Sequence, residues 1–336
     1  EKGNNFFALK TLKSKDTKEF NREVKALRKI LPHPNLLTLL ATFHYKEEYH
    51  LLFPWANGGN LLNFWDRHKT KPDIDVDWMR WFAEQCFGLA GGLKCIHNAR
   101  MPASELVPAV SNVFERNNTV NNDDDKDCGR HGDIKPQNIL WFRQGHNGRG
   151  RGVLKISDFG ETMFHSELTT KVLPNMINGL TQSYAAPEYQ LGPRVSRPYD
   201  IWSLGCIFLE FITWTHLGSQ GVEEFRESRK NDRDRRSNWI TDDFYRESKK
   251  RSKLFKWRRK DGALVKVSVT RWIDQLLEQS AHSPFLSEFL KYISKNMILV
   301  VASDRDKCDE VKNKLESMMR NCEQSSEYCF IVQHLG

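Results

Sequence analysis

Three short runs carry side chains able to do chemistry: His131-Gly132-Asp133-Ile134-Lys135-Pro136-Gln137-Asn138, then Ser157-Asp158-Phe159-Gly160, then Ala186-Pro187-Glu188. Their reactive members are carboxylates and a carboxamide, which offer hard oxygen ligands, and a lysine, which offers a cation. Such groups suit chemistry on an anion held with a hard metal ion. Each run alone says little. An isolated Asp133 reads as a solvated turn acid, an isolated Asn138 as a turn former, and a DFG or APE triplet arises by chance. Order and spacing carry the weight: strand-like apolar residues follow the first run and precede the second, and Ala186 comes 26 residues after Gly160.

In this order the runs resemble the signature set of eukaryotic-type protein kinases, serine/threonine-specific in character, from residue 6 to the C-terminal helices. The resemblance implies an α+β, two-lobed fold with a small β-rich N-lobe and a larger, mainly helical C-lobe. It implies transfer of the γ-phosphate of ATP to serine or threonine hydroxyls of protein substrates, with ATP and Mg2+ as cofactors. That reaction depends on positioning and charge stabilisation. By the resemblance, Asp133 orients the acceptor hydroxyl, Lys135 places a cation on the transferring phosphate, and Asn138 and Asp158 hold magnesium. Ala8-Leu9-Lys10 resembles the strand whose lysine holds the α- and β-phosphates. The family pairs that lysine with a helix glutamate; Glu23 is the choice, with Glu19 one turn earlier as competitor. Leu27, one turn after Glu23, matches a spine position and favours Glu23. Ala8 and Leu140 match the residues that sandwich adenine. Residues 51–56 resemble the hinge between lobes, with Phe53 as gatekeeper and the backbone of Pro54 and Ala56 facing adenine. Thr181 matches the loop threonine that contacts the catalytic acid and lysine. His131, Phe159 and Gly160 match architectural positions, Asp200 opens a buried anchor helix, and Glu188 is expected to pair with Arg305.

The sequence departs from that pattern in three ways. Gly132 stands where most regulated kinases carry an arginine that binds an activation-loop phosphate, so activity is expected not to require that phosphate. The glycine-rich loop and its two strands belong upstream of the lysine strand, which already begins near Glu1. The N-lobe is therefore expected to be incomplete, with an open sheet edge and weak or no activity for residues 1–336. Insertions are expected at residues 98–130 and 223–266. The domain boundary is expected between 1–55, the partial N-lobe, and 56–336, the hinge and C-lobe. A pseudokinase or nucleotide-binding scaffold is the competing function. The intact set Lys10, Glu23, Asp133, Asn138 and Asp158 argues against it, and ATP binding without transfer would establish it.

The elements that must position these groups follow from periodicity. Residues 6–12 alternate as a strand should. Phe20, Val24, Leu27 and Leu31 mark one face of a helix over 18–31, stopped by Pro32 and Pro34. Strand-like runs cover 36–43 and 49–55. A long apolar-rich helix is predicted over 78–97 despite Gly88, Gly91 and Gly92. Residues 139–142 and 153–156 read as short strands. Beyond Pro187 the pattern is helical apart from the charged stretch 223–266, and the apolar run 201–214 reads as a buried helix.

Composition limits the rest. The chain has 336 residues and a formal net charge of +8. Residues 226–260 contain 15 Lys or Arg against 6 Asp or Glu, so the rest of the chain is close to neutral. Trp239, Phe244, Tyr245, Phe255 and Trp257 lie in that basic run. It is expected to be a solvated loop, with an acidic partner as the alternative and nucleic acid as the weaker one. No run of 18 apolar residues occurs, which argues against a membrane span. Seven scattered cysteines without a CxxC pair, and no apolar leader, point to reduced thiols and an intracellular, cytoplasmic or nuclear protein. The acceptor-like Asn117-Asn118-Thr119 is then accidental.

Overall fold

The computed structural model describes residues 6–12, 17–67, 71–99, 129–143, 151–160, 162–164, 183–192, 195–232, 241–247 and 262–331. Thr181, most of the insertion 98–130 and residues 233–240 and 248–261 of the basic run lie outside them.

The N-terminal part is a strand β1 (Phe7–Leu12), a helix α1 (Thr17–Lys29) and a hairpin of β2 (Ala41–Tyr45) and β3 (Glu48–Pro54). The sheet is antiparallel in the order β1-β3-β2, with Lys10 opposite Leu51 and Ala8 opposite Phe53. Lys46 and Glu47 both take positive φ (47° and 61°) at the hairpin turn, the backbone that matches strand twist in a two-residue connection.

The strand expected over 36–43 begins only at Ala41. Upstream, Leu37 N–H donates to the carbonyl of Ile156 and Ile156 N–H to that of Asn35, both at 2.8 Å. Backbone groups that read as sheet-forming are thus satisfied across the molecule, fastening the small sheet to the larger part. This connector also explains three glycines inside a helix. The helix α3 (Val76–His97) is capped by Asp75, whose Oδ1 accepts from Trp78 N–H. A Cβ at Gly88 would strike the Asn35 side chain at 2.3 Å, and one at Gly91 the His33 ring at 2.8 Å. Close approach of the connector therefore offsets the ~1 kcal/mol that each helical glycine costs.

After residues 54–58, β4 (Gly59–Asn60) pairs with β6 (Ile139–Phe142), which pairs with β7 (Val153–Ile156), and α2 (Leu61–Arg67) follows β4. A second small ladder joins β5 (Gly129–Arg130) to β8 (Met163–Phe164). The helical part comprises α4 (Glu188–Leu191), α5 (Pro198–Asn231), α6 (Val267–Gln279), α7 (Pro284–Tyr292), α8 (Cys308–Gln324) and α9 (Ser326–Cys329). Between α5 and α6 lies a two-stranded ladder of β9 (Tyr245–Glu247) and β10 (Ala263–Val265). The core centres on α5, where Trp202, Phe208, Phe211 and Trp214 are fully buried, ringed by Phe64, Phe82, Phe285 and Phe289. Each such aromatic contributes roughly 1.5–3 kcal/mol of burial. No described helix is long and apolar enough to cross a membrane.

The charged stretch is corrected in part. α5 does not end before Glu223; it bends at Gly218 (φ +70°) and runs to Asn231, and β9 and β10 lie within the stretch. Arg229 is 1% exposed, so this end of the stretch is core and not a solvated loop. Asp243 is buried beside Asp242, Arg229 and Lys266, and burial raises its pKa to about 6. Its Oδ1 has no hydrogen-bond partner. The folded state therefore holds the Asp243 proton more tightly than the unfolded chain. The stability this contributes is complete below pH 3.8 and lost as pH rises through about 6. Asp243→Asn, which cannot ionise, is expected to stabilise the protein at pH 7.5 by about 1–3 kcal/mol. The gain should vanish below about pH 4. Denaturant midpoints of both proteins across this range check it; a pH-independent difference would rule out the charge as its cause.

Candidate active site

β1 and α1 deliver the first pair. Lys10 Nζ donates to Glu23 Oε1 at 2.8 Å, and Glu23 is buried. The helix thus presents Glu23, as the sequence favoured; the competing Glu19 side chain lies outside the described residues. Lys10 Nζ also reaches Asp158 Oδ1 at 3.0 Å, across 148 residues of chain. Burial works against the charge on Lys10, but the carboxylates of Asp158 and Glu23 hold its pKa above the ordinary value. Asp158 is likewise opposed by burial and held below its ordinary range chiefly by Lys10. Both groups are therefore ionised at neutral pH. Asp158 has φ +61°, a left-handed conformation costly for a non-glycine residue and typical of constrained functional sites. A Cβ at Gly160 would sit 3.4 Å from Asp158 Oδ1 and 3.9 Å from Lys10 Nζ, ordinary contact distances that place Gly160 beside this charged corner.

The second group lies on the loop before β6. Lys135 Nζ is 2.7 Å from Asp133 Oδ2, and Asn138 Nδ2 donates to the same oxygen at 3.0 Å. Both partners engage Oδ2, which leaves Asp133 Oδ1 for another donor. Asn138 turns its amide nitrogen to Asp133, so its hard carboxamide oxygen is directed elsewhere.

Buried polar bonds fix this loop. Asp133 N–H donates to His131 Nδ1 at 3.2 Å, so the ring hydrogen belongs on Nε2, which lies 3.0 Å from the carbonyl oxygen of Ser157. The His131 ring meets Phe159 edge-on at 5.7 Å, tying the two motifs together. Phe159 is buried and lines, with Leu27, a cavity of about 300 Å³ behind α1. Asp200, at the start of α5, accepts from His131 N–H through Oδ2 and from Gly132 N–H through Oδ1, both at 2.9 Å. Burial opposes the charge on Asp200, while the hydrogen bond to His97 at 2.8 Å, followed by the charge of Arg130 nearby, keeps its pKa low. Gly132 has φ +86°, so the residue that breaks the family pattern fits this backbone without strain. His97 had no signal in the sequence: one histidine at a helix end carries no pattern.

Arg305 forms a two-pronged ion pair with Glu188 at 2.7 and 2.8 Å, as expected. The residues expected to face adenine lie on the two sheets flanking residues 54–58 and, for Ala56, on the connection itself. Ala8 faces Phe53 in register, Pro54 faces Phe7, and Leu140 faces Asn60. Phe53 is buried, whereas Ala8, Pro54, Ala56 and Leu140 are half-buried. Two lysine cations and hard oxygen donors of this kind suit a phosphate chain bound with magnesium. Among the described residues no cluster of three or more His, Cys, Asp or Glu could hold a metal by itself.

Comparison with known proteins agrees with this geometry. The chain is 25% identical over 214 residues to the serine/threonine-protein kinase Nek5 of Mus musculus, covering 62% of this chain and 27% of that protein. It is 27% identical over 209 residues to cyclin-dependent kinase-like 4 of Homo sapiens, covering 60% and 42%. It is 28% identical over 200 residues to mitogen-activated protein kinase kinase kinase 7 of Drosophila melanogaster, covering 60% and 23%. The chain thus spans less than half the length of each of these relatives. The family model of the protein kinase domain matches residues 126–315, more than half of the chain and all of the Asp133, Asn138 and Asp158 array, and the chain belongs to that family.

Proposed function

We propose that this chain is an ATP- and Mg2+-dependent kinase acting on serine or threonine hydroxyls of proteins. The observation that carries the reading is the convergence of Lys10, Glu23 and Asp158 in one ion-pair cluster, with the separate Asp133–Lys135–Asn138 array on the adjoining loop. Lys10, steadied by Glu23, binds the α- and β-phosphates. Asp158 and Asn138 would hold magnesium, which would supply charge neutralisation at the phosphate oxygens. Ala8 and Leu140 flank adenine, the backbone of Pro54 and Ala56 meets its edge, and Phe53 closes the slot behind. Asp133 Oδ1 accepts the hydrogen bond of the acceptor hydroxyl and aims its oxygen at the γ-phosphorus. The new oxygen–phosphorus bond forms as the bridging oxygen leaves with ADP, and the hydroxyl hydrogen is directed to Asp133. Lys135 offsets charge on the phosphoryl group in flight.

The test is transfer of labelled γ-phosphate to a serine/threonine protein substrate by the protein extended upstream through the expected glycine-rich loop, alongside magnesium-dependent nucleotide binding. Asp158→Asn removes a hard anionic ligand and one of the two carboxylates on Lys10. It should weaken Mg-ATP binding at least about tenfold and abolish measurable transfer. Wild-type enzyme stripped by phosphatase should keep its rate, because Gly132 supplies no cation for a loop phosphate. Wild-type protein that binds Mg-ATP but transfers nothing would replace this reading with a nucleotide-binding scaffold.

A further inference from the structure

The kinase reading leaves one buried polar cluster without a role, where the end of α5 and the start of β9 meet residues 183–186. The Arg229 guanidinium packs against the rings of both Phe225 and Phe244, 4.2 and 4.1 Å from their centroids. Its Nη2 donates to Glu210 Oε1 at 2.7 Å and its Nε to the Asp242 carbonyl at 2.9 Å. The other Glu210 oxygen accepts from the Tyr184 hydroxyl at 2.6 Å. Ser183 Oγ donates to Asp242 Oδ1 at 2.5 Å, while Arg226 Nε donates to Asp242 Oδ2 at 2.9 Å. Lys266 closes the cluster by donating to the carbonyls of Arg229 and Thr241, both at 2.9 Å.

The geometry of α5 gives this cluster a purpose. At about 100° per residue, Asp200, Ser203 and Glu210 fall within about 80° of one another on the helix face. Asp200 holds the amides of His131 and Gly132. Ser203 Oγ donates to the Tyr184 carbonyl at 2.8 Å, and Glu210 takes the Tyr184 hydroxyl. One stripe therefore fixes both the loop that carries Asp133 and the segment 183–186, about 15 Å apart along the axis. A carboxylate as buried as Glu210 is tolerable there because Arg229 lies against it. Downstream, Glu188 is clamped by Arg305, so the segment is pinned on both sides of Ala186.

We propose that Asp242 and Arg229 are positioning residues: docked on Ser183 directly and on Tyr184 through Glu210, they fix residues 183–186 so that a protein acceptor is presented to Asp133. The role rests on the kinase reading; the clasp itself does not. Neither residue touches Lys10 or Asp158, so the acceptor side should suffer and the nucleotide side should not.

The experiment uses the protein extended upstream through the expected glycine-rich loop, with Ser183→Ala, Asp242→Ala and the double variant, chosen because Ser183 and Asp242 lie at the margin of the cluster and Arg229 in its core. Each single variant is expected to raise the KM for a peptide substrate about tenfold, the size expected for a hydrogen bond to a charged group. The double variant should be no worse than the stronger single one, since both remove the same bond. Ser183→Thr, which keeps the hydroxyl, should restore the wild-type value. KM for ATP should stay unchanged, and the thermal midpoint should fall by no more than the few degrees that the lost local bonds cost, which a general loosening of the fold would not permit. Amide hydrogen exchange of residues 183–186 should quicken at least about tenfold in both alanine variants, with residues 200–215 unaffected. Unchanged exchange, or equal losses toward peptide and ATP, overturns the proposal. If the wild type transfers no phosphate, the kinase reading fails and the positioning role with it, while exchange still decides whether the clasp exists.

Discussion

Replacing Asp133 by alanine is expected to lower kcat by about 10²–10⁴-fold, the usual contribution of a positioned acid–base group. The Kd for Mg-ATP should stay within about twofold, because the nucleotide-side ion pairs run through Lys10, Glu23 and Asp158 and none involves Asp133. The two carboxylates thus fail differently: Asp158→Asn loses nucleotide and turnover together, whereas Asp133→Ala loses turnover alone. Asparagine at 133 is the informative companion. It keeps an oxygen for Asn138 Nδ2, now 3.0 Å from Oδ2, but gives up the charge that balances Lys135 at 2.7 Å. If orientation of the hydroxyl dominates, asparagine should recover part of the alanine loss; if proton acceptance dominates, it should recover none. Single-turnover rates at saturating ATP separate these cases. An alanine variant within about fivefold of wild type would remove Asp133 from the mechanism.

What the sequence made legible, and what it hid, follows from the kind of constraint on each residue. Asp133, Lys135 and Asn138 are tied to neighbours a few residues away, so their spacing is visible in a string, and Asp158 stood out by the Phe-Gly that follows it although its partner Lys10 lies far along the chain. The Lys10–Glu23 pair was accessible through the family resemblance: periodicity puts Glu19 and Glu23 on one face, and Leu27 at the family's spine position favoured Glu23. The fold's small and large parts, the long α3 and the buried first half of α5 followed from apolar patterning. Two features did not. Residues 36–40 read as strand because alternation reports only which side chains are buried. It does not say which backbone supplies the hydrogen bonds, and here Ile156 does, from far along the chain. Arg229 read as one more charge in a solvated run, since a buried arginine and an exposed one are the same letter. Its partner Glu210 lies 19 residues earlier beyond the bend at Gly218, and the ring of Phe244 completes its site from a different element. No periodicity connects those three. Gly132 lies between these extremes: the sequence showed a lost cation, and only the φ of +86° shows that glycine also suits the backbone.

Arg305→Leu is expected to destabilise the protein by about 3–5 kcal/mol, the range for breaking one side of a buried ion pair. The Arg305 side chain is fully buried and serves five acceptors. Beyond both oxygens of Glu188, it donates to the carbonyls of Leu299 at 2.7 Å, Pro198 at 2.9 Å and Val300 at 3.3 Å, and it lies over the ring of Trp202. Leucine fills part of the volume but leaves the Glu188 carboxylate, 13% exposed, facing apolar side chains without a counter-charge. Glu188→Gln should cost about as much, because it strands the guanidinium in turn. The double change to Arg305→Leu and Glu188→Leu should cost less than the sum of the singles, since no uncompensated charge remains. Urea midpoints of the four proteins test this directly, and additive losses would show that the pair acts as two independent anchors. The effect should also reach the active site. Pro198 opens α5 two residues before Asp200, so loosening the Arg305 contact frees the end of the helix that holds the amides of His131 and Gly132. Turnover in Arg305→Leu should therefore fall at temperatures well below its unfolding midpoint, in step with faster exchange of those two amides.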